Sequence, residues 1–138
     1  MFYNICGDKM KFCLNCQLAI CNRNKFCSVK CQKEYQYNEY INNWKNGNED
    51  GLRGDYQLSM YIRTYLLKKY NFKCARCNWG EVNKYTGNIP LEIEHIDGNY
   101  MNNQEKNLIV LCPNCHSLTS TYKGANINYG RKSRKKYQ

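Results

Sequence analysis

No stretch of this 138-residue chain is long and apolar enough to span a membrane, and a mean hydropathy of -0.82 leaves little material for a large core. A membrane-spanning helix is not expected, and burial alone will not hold the fold together. Acidic residues are scarce: 11 Asp and Glu face 21 Lys and Arg, for a net charge of +10. Such a chain repels itself unless a polyanionic partner compensates it. Histidine is scarcer still, with His95 and His116 the only two. A secretory leader is not expected, because Asp8, Lys9 and Lys11 interrupt any apolar run among the first residues. A reducing, cytoplasmic compartment follows as the expectation, and it suits thiolates better than disulfides.

Cysteine is what the chain has in abundance. Eight of its ten cysteines form the short pairs Cys13/Cys16, Cys27/Cys31, Cys74/Cys77 and Cys112/Cys115. A Cys-x-x-Cys knuckle presents two thiolates to one metal, and two such pairs close a tetrahedral zinc site. Two structural Zn²⁺ ions are therefore expected, one on Cys13, Cys16, Cys27 and Cys31 and one on Cys74, Cys77, Cys112 and Cys115. Cys6 and Cys21 are left over as plain thiols, although either could replace a ligand of the first site. Thirteen tyrosines and two tryptophans are interleaved with lysine and asparagine, a mixture able to contact phosphates and stack on bases. Most of these tyrosines are expected to pack the small core instead.

The expected fold class is α+β, built of small zinc-stabilised modules. Residues 1–46 read as a zinc finger and helix. Ser28 is available to cap a helix running from near Val29 to Lys45, because Tyr37, Tyr40, Ile41 and Trp44 recur at helical spacing and Asn46-Gly47 stops it. Residues 47–72 read as a linker followed by a connector helix, capped by Asp55 and carrying Leu58, Tyr61, Ile62, Tyr65 and Leu66 on one stripe. In 73–124, the alternation of Leu91 to Ile96 predicts a strand, Gly98-Asn99 a turn, Asn107 to Leu111 a second strand, and Pro113 to about Tyr122 a helix. The tail, 125–138, carries Arg131, Lys132, Arg134, Lys135 and Lys136. Together with Lys123 these are candidate phosphate contacts, which position a protein on nucleic acid without reading sequence.

Hydrolysing a phosphodiester needs a base, a Lewis acid and stabilisation of the departing oxygen. His95 is the candidate base, since an imidazole of pKa about 6.5 is largely neutral near neutral pH. Glu94 and His116 are candidate ligands of a catalytic divalent ion, an incomplete shell that leaves room for water and a phosphate oxygen. A regular strand would send Glu94 and His95 to opposite faces, so the ladder must twist or end there. Asn107 more naturally orients the loop and His95 than touches a metal.

The order Cys74-x-x-Cys77, Glu94-His95, Asn107-Leu108 and Cys112-Pro113-Asn114-Cys115-His116 resembles that of HNH endonucleases over residues of about 74 to 124. The resemblance implies a ββα-metal fold whose hairpin and helix are clamped by the tetra-cysteine zinc. It further implies DNA as partner, Mg²⁺ or Mn²⁺ as catalytic ion, and products with 5′ phosphate and 3′ hydroxyl. Carried over, the general base is His95, the ion ligands are Glu94 and His116, and the supporting asparagine is Asn107. Two features depart from the family pattern. The residue before the base is often aspartate rather than Glu94, and Asp97 lies close enough to substitute. The preceding Phe26-Cys27-Ser28 run resembles a treble-clef finger, so target choice is not inherited. A non-catalytic zinc-dependent DNA- or RNA-binding module explains the zinc ligands and the charge, and a protein-interaction adaptor explains only the cysteines. Nothing in the sequence predicts a dimer.

Overall fold

The structure, a computed structural model, describes residues 11–20 and 24–125. Cys6, Cys21, Arg131, Lys132, Arg134, Lys135 and Lys136 lie outside the described residues. Two compact units divide at Asn42/Asn43.

In the first unit, β1 (Lys11–Phe12) and β2 (Ala19–Ile20) pair antiparallel, Lys11 opposite Ile20. The knuckle Cys13-Leu14-Asn15-Cys16 lies between them, and Gln17, at φ +60°, turns the chain back with its N–H donating to Cys13 O. Helix α1 (Val29–Lys45) has the expected limits. Ser28 Oγ accepts the Cys31 N–H at 3.2 Å, satisfying one free donor of the first turn. At the other end Gly47, at φ +79°, donates to Trp44 O, a left-handed stop that glycine adopts at little cost.

The second unit begins with a feature that periodicity did not reveal. Where a connector helix capped by Asp55 was expected, β3 (Leu52–Arg53) and β4 (Gln57–Leu58) form a hairpin, and Asp55 sits in its turn. Leu58 belongs to β4, and the cap of α2 (Met60–Lys69) is Ser59, whose Oγ accepts the Tyr61 N–H. The reason is local: Asp50 Oδ1 accepts the Leu52 N–H, and Gly54, at φ +62°, permits the reversal before a helix can start. The α2 stripe is confirmed from Tyr61 onward only in part, for Ile62 and Leu66 are buried while Tyr61 is exposed.

Strands β5 (Glu92–His95) and β6 (Leu108–Leu111) pair antiparallel, Glu92 opposite Leu111 and His95 opposite Leu108. Asn107 falls in a 3₁₀ turn (Glu105–Asn107) just before β6 rather than in the strand. Helix α3 (Pro113–Ser117) is shorter than expected. Thr119 Oγ1 donates to His116 O at 2.9 Å, the local competition by which threonine side chains divert a helix. Ile62, Leu66, Leu91, Leu108, Val110 and Leu111 form the buried apolar residues around this β-β-α unit. Among the described residues no helix is long and apolar enough to cross a membrane.

Candidate metal centres and the β5–α3 site

The two cysteine quartets form as two clusters, Cys13, Cys16, Cys27, Cys31 and Cys74, Cys77, Cys112, Cys115, each with its ligand atoms within 4.8 Å of one another. Zinc–sulfur bonds of about 2.3 Å set tetrahedral sulfur–sulfur edges of about 3.8 Å. The observed approaches are 3.6 Å for Cys16–Cys27, 3.4 Å for Cys27–Cys31 and 3.7 Å for Cys77–Cys112. Both clusters use the same parts: a knuckle, then cysteines at a helix start. Cys31 lies in the first turn of α1, and Cys112 caps α3 with its Sγ facing the Cys115 N–H.

Electrostatics supports a cation in each. Burial opposes ionisation of Cys74, yet backbone hydrogen bonds from Cys112, Cys77 and Arg76 bring its pKa down to about 6. Burial, then the neighbouring Cys77, Cys112 and Cys74 sulfurs, push Cys115 up to about 12. The first cluster is divided likewise. Cys13 falls to about 6 through backbone bonds that overcome burial, and Cys27 rises to about 12 beside the Cys31 and Cys16 sulfurs. Four crowded thiols cannot all ionise in each other's presence, and a dication removes that conflict.

The second constellation lies at the β5–α3 junction. His116, in α3, directs Nδ1 to within 2.7 Å of Glu94 Oε2, while its Nε2 stands 3.3 Å from Glu92 Oε2. The Nδ1 contact is short but lacks hydrogen-bond geometry, so this buried nitrogen has no hydrogen-bond partner among the described residues. Glu94 is 8% exposed, and its other oxygen, Oε1, accepts from the Thr121 hydroxyl, with Thr119 Oγ1, whose hydrogen goes to His116 O, 3.5 Å away. The Tyr122 ring meets His116 edge-on at 5.2 Å. An unbonded buried imidazole nitrogen beside a braced carboxylate is a donor set that fits a divalent cation.

His95 is the last residue of β5, so the ladder does end there. The contacts nevertheless separate the neighbours: Glu94 meets His116, Thr119 and Thr121, whereas His95 Nε2 lies 2.7 Å from Asn103 Oδ1. Asn107 binds the loop between them, its Oδ1 accepting the Asp97 N–H and its Nδ2 donating to Asp97 Oδ1 and Asn102 O. Burial works against the Asp97 carboxylate, but bonds from Asn102, Asn99 and Asn107 hold its pKa below the usual range. Asp97 is thereby occupied within its own loop, by Asn99, Asn102 and Asn107.

An alignment of 93 positions that covers 64% of this chain is 42% identical to the H-N-H endonuclease F-TflIV of Escherichia phage T5. The chain is similar to an HNH endonuclease. It spans 39% of the length of that curated relative. No family model and no solved structure matches it.

Of the site residues expected from sequence, the structure brings His116 to Glu94, and it places Asn107 as the clasp of the loop after His95. Lys123 follows in a 3₁₀ turn with Nζ 5.0 Å from the Tyr122 ring centroid. Four participants were not foreseen from sequence: Glu92, Asn103, Thr119 and Thr121. Glu92 was within reach of pattern, since it stands two residues before Glu94 on the same strand face. Asn103 gave no such signal, being one asparagine among several in a loop.

Proposed function

We propose that this chain is an HNH endonuclease that hydrolyses DNA phosphodiester bonds, with His95 as general base and Glu94 and His116 as ligands of a divalent ion, Mg²⁺ or Mn²⁺. The observation that carries this reading is the buried His116 Nδ1 held against Glu94 at the β-β-α junction, next in sequence to a histidine at a strand end. Similarity to an endonuclease of the same motif supports it.

In this mechanism the scissile phosphate lies at the end of β5, where the two functional neighbours Glu94 and His95 are adjacent. His95 takes a proton from the attacking water through an imidazole nitrogen. A bound divalent ion supplies Lewis-acid stabilisation of charge on the phosphoryl and leaving oxygens. Thr121 fixes the Glu94 carboxylate, and Asn107 holds the loop through Asp97 and Asn102. Lys123 and the basic residues Arg131, Lys132, Arg134, Lys135 and Lys136 contribute phosphate contacts that position the duplex. Residues 1–46 serve as a finger for DNA or partner contact, 47–72 as connector and 73–124 as the catalytic unit.

Conversion of supercoiled plasmid by the purified chain with Mg²⁺ or Mn²⁺ tests the proposal, with EDTA and His95→Ala as controls. Ion-dependent nicking or linearisation that His95→Ala abolishes, with zinc content and DNA binding retained, is the expected result. DNA binding without cleavage on any duplex offered would instead favour the non-catalytic binding module.

A further inference from the structure

Asn103 is 3% exposed, lies outside the HNH motif, and engages both ends of its side-chain amide and its backbone carbonyl. Its Nδ2 donates to Asp50 O at 3.0 Å. Its backbone carbonyl accepts the Trp44 Nε1–H at 2.7 Å. Its Oδ1 lies 2.7 Å from His95 Nε2.

These partners determine where the proton on His95 sits. A peptide carbonyl can only accept, so the amide group facing Asp50 O must be the NH₂. The atom facing His95 is then the amide oxygen, which also only accepts. Nε2 of His95 must therefore carry the hydrogen. In the neutral ring the remaining nitrogen, Nδ1, keeps the lone pair.

We propose that Asn103 is the positioning residue of the catalytic base: it locks His95 in the Nε2–H tautomer and so dedicates Nδ1 to proton abstraction from water. The assignment of His95 as base rests on the nuclease reading above; the tautomer does not. The clamp extends to residues 44–51, N-terminal to the motif. Trp44 and Asp50 hold Asn103, and Gly51 leaves space for it, since a Cβ there would stand 2.7 Å from Asn103 Cβ. A protein with the HNH residues alone would lack this buttress.

The test is a two-bond ¹H–¹⁵N correlation spectrum of the full chain at about pH 8, where imidazoles are neutral. The His95 signals are assigned by their loss in His95→Gln. The wild type is expected to show His95 with Nε2 protonated. Asn103→Leu should give mixed tautomers and lower kcat by about 10–100-fold with KM within about threefold. Asn103→Asp, which keeps an acceptor oxygen, should retain the single tautomer and restore part of kcat. A proton on Nδ1 in the wild type overturns the proposal, as does an Asn103→Leu protein with tautomer and kcat unchanged. If Asn103→Leu does not fold, the wild-type and Asn103→Asp spectra decide. A single Nε2–H tautomer in a protein that cuts no DNA would leave the clamp standing and remove only the nuclease reading.

Discussion

Glu94 shows how one side chain can be assigned two duties by its two oxygens. Oε1 is tied to Thr121, and Oε2 turns to the unbonded His116 Nδ1. The Thr121 hydroxyl fixes the carboxylate's orientation, so Thr121→Val is expected to weaken divalent-ion affinity by about 10–100-fold without unfolding the protein. Manganese titration followed by electron paramagnetic resonance reads that loss directly. Glu94→Gln removes the charge itself and should abolish Mn²⁺ binding at this site while both zinc ions remain. His95→Ala should leave Mn²⁺ affinity within a factor of about three, because the contacts of His95 run to Asn103 and not to the Glu94–His116 pair. Equal loss of Mn²⁺ in both variants would place His95 among the ligands.

Between elements, short connections decide which surfaces meet. Gly51 and Gly54 both take positive φ in the β3–β4 region, but a Cβ on Gly51 would meet Asn103 at 2.7 Å and Ile62 Cδ1 at 2.8 Å, while one on Gly54 meets nothing within 4 Å. Gly54→Ala should cost only the backbone strain, about 1–2 kcal/mol, whereas Gly51→Ala adds overpacking of about 1–3 kcal/mol. Denaturation midpoints of the two variants give the comparison. Helix α2 is tied to the turn before β6 by Lys69 Nζ at 2.6 Å and Tyr65 Oη at 2.8 Å from Glu105 Oε1. Burial opposes the Glu105 charge, yet the Lys69 and Tyr65 bonds lower its pKa. The bond to Glu105 raises that of Lys69 against its burial. A carboxylate so depressed contributes stability above its unfolded pKa of about 4.3 and loses it as pH falls through the lower folded value. The raised lysine contributes below about 10.4 and loses its share as pH climbs through the higher folded value. With side chains 44% and 31% exposed, screening limits the pair to about 0.2–1 kcal/mol. Glu105→Gln should therefore lower stability by that amount at pH 7, and the difference should fade in urea titrations as pH falls through the lowered range of the folded carboxylate.

For the molecule as a whole, two cysteine clusters able to hold zinc stand in for the core that composition denies. A structural zinc contributes about 10–16 kcal/mol of apparent binding free energy, comparable to or above the entire net stability of an ordinary domain, about 5–15 kcal/mol. Cys112→Ser is expected to lower bound zinc from two to one per chain and to unfold the β-β-α unit, leaving α1 and its cluster in place. Retained cooperative unfolding with two zinc ions would contradict the tetra-cysteine assignment. The amino-acid sequence alone determined the two cysteine clusters, because ligand spacing and helix starts are local, and it determined the extent of α1, from near Val29 to Lys45, because its apolar period and its Asn46-Gly47 stop lie within one segment. The strands around His95 were legible for the same reason. The start of α2 at Ser59, the early end of α3 and the buried partners of the site were settled only in three dimensions. Glu94 meets Thr121, His95 meets Asn103, and Asn103 meets Trp44 across 27, 8 and 59 residues. Periodicity reports which face of an element is apolar, but which polar groups satisfy each other once buried is decided by the packing that brings distant segments together.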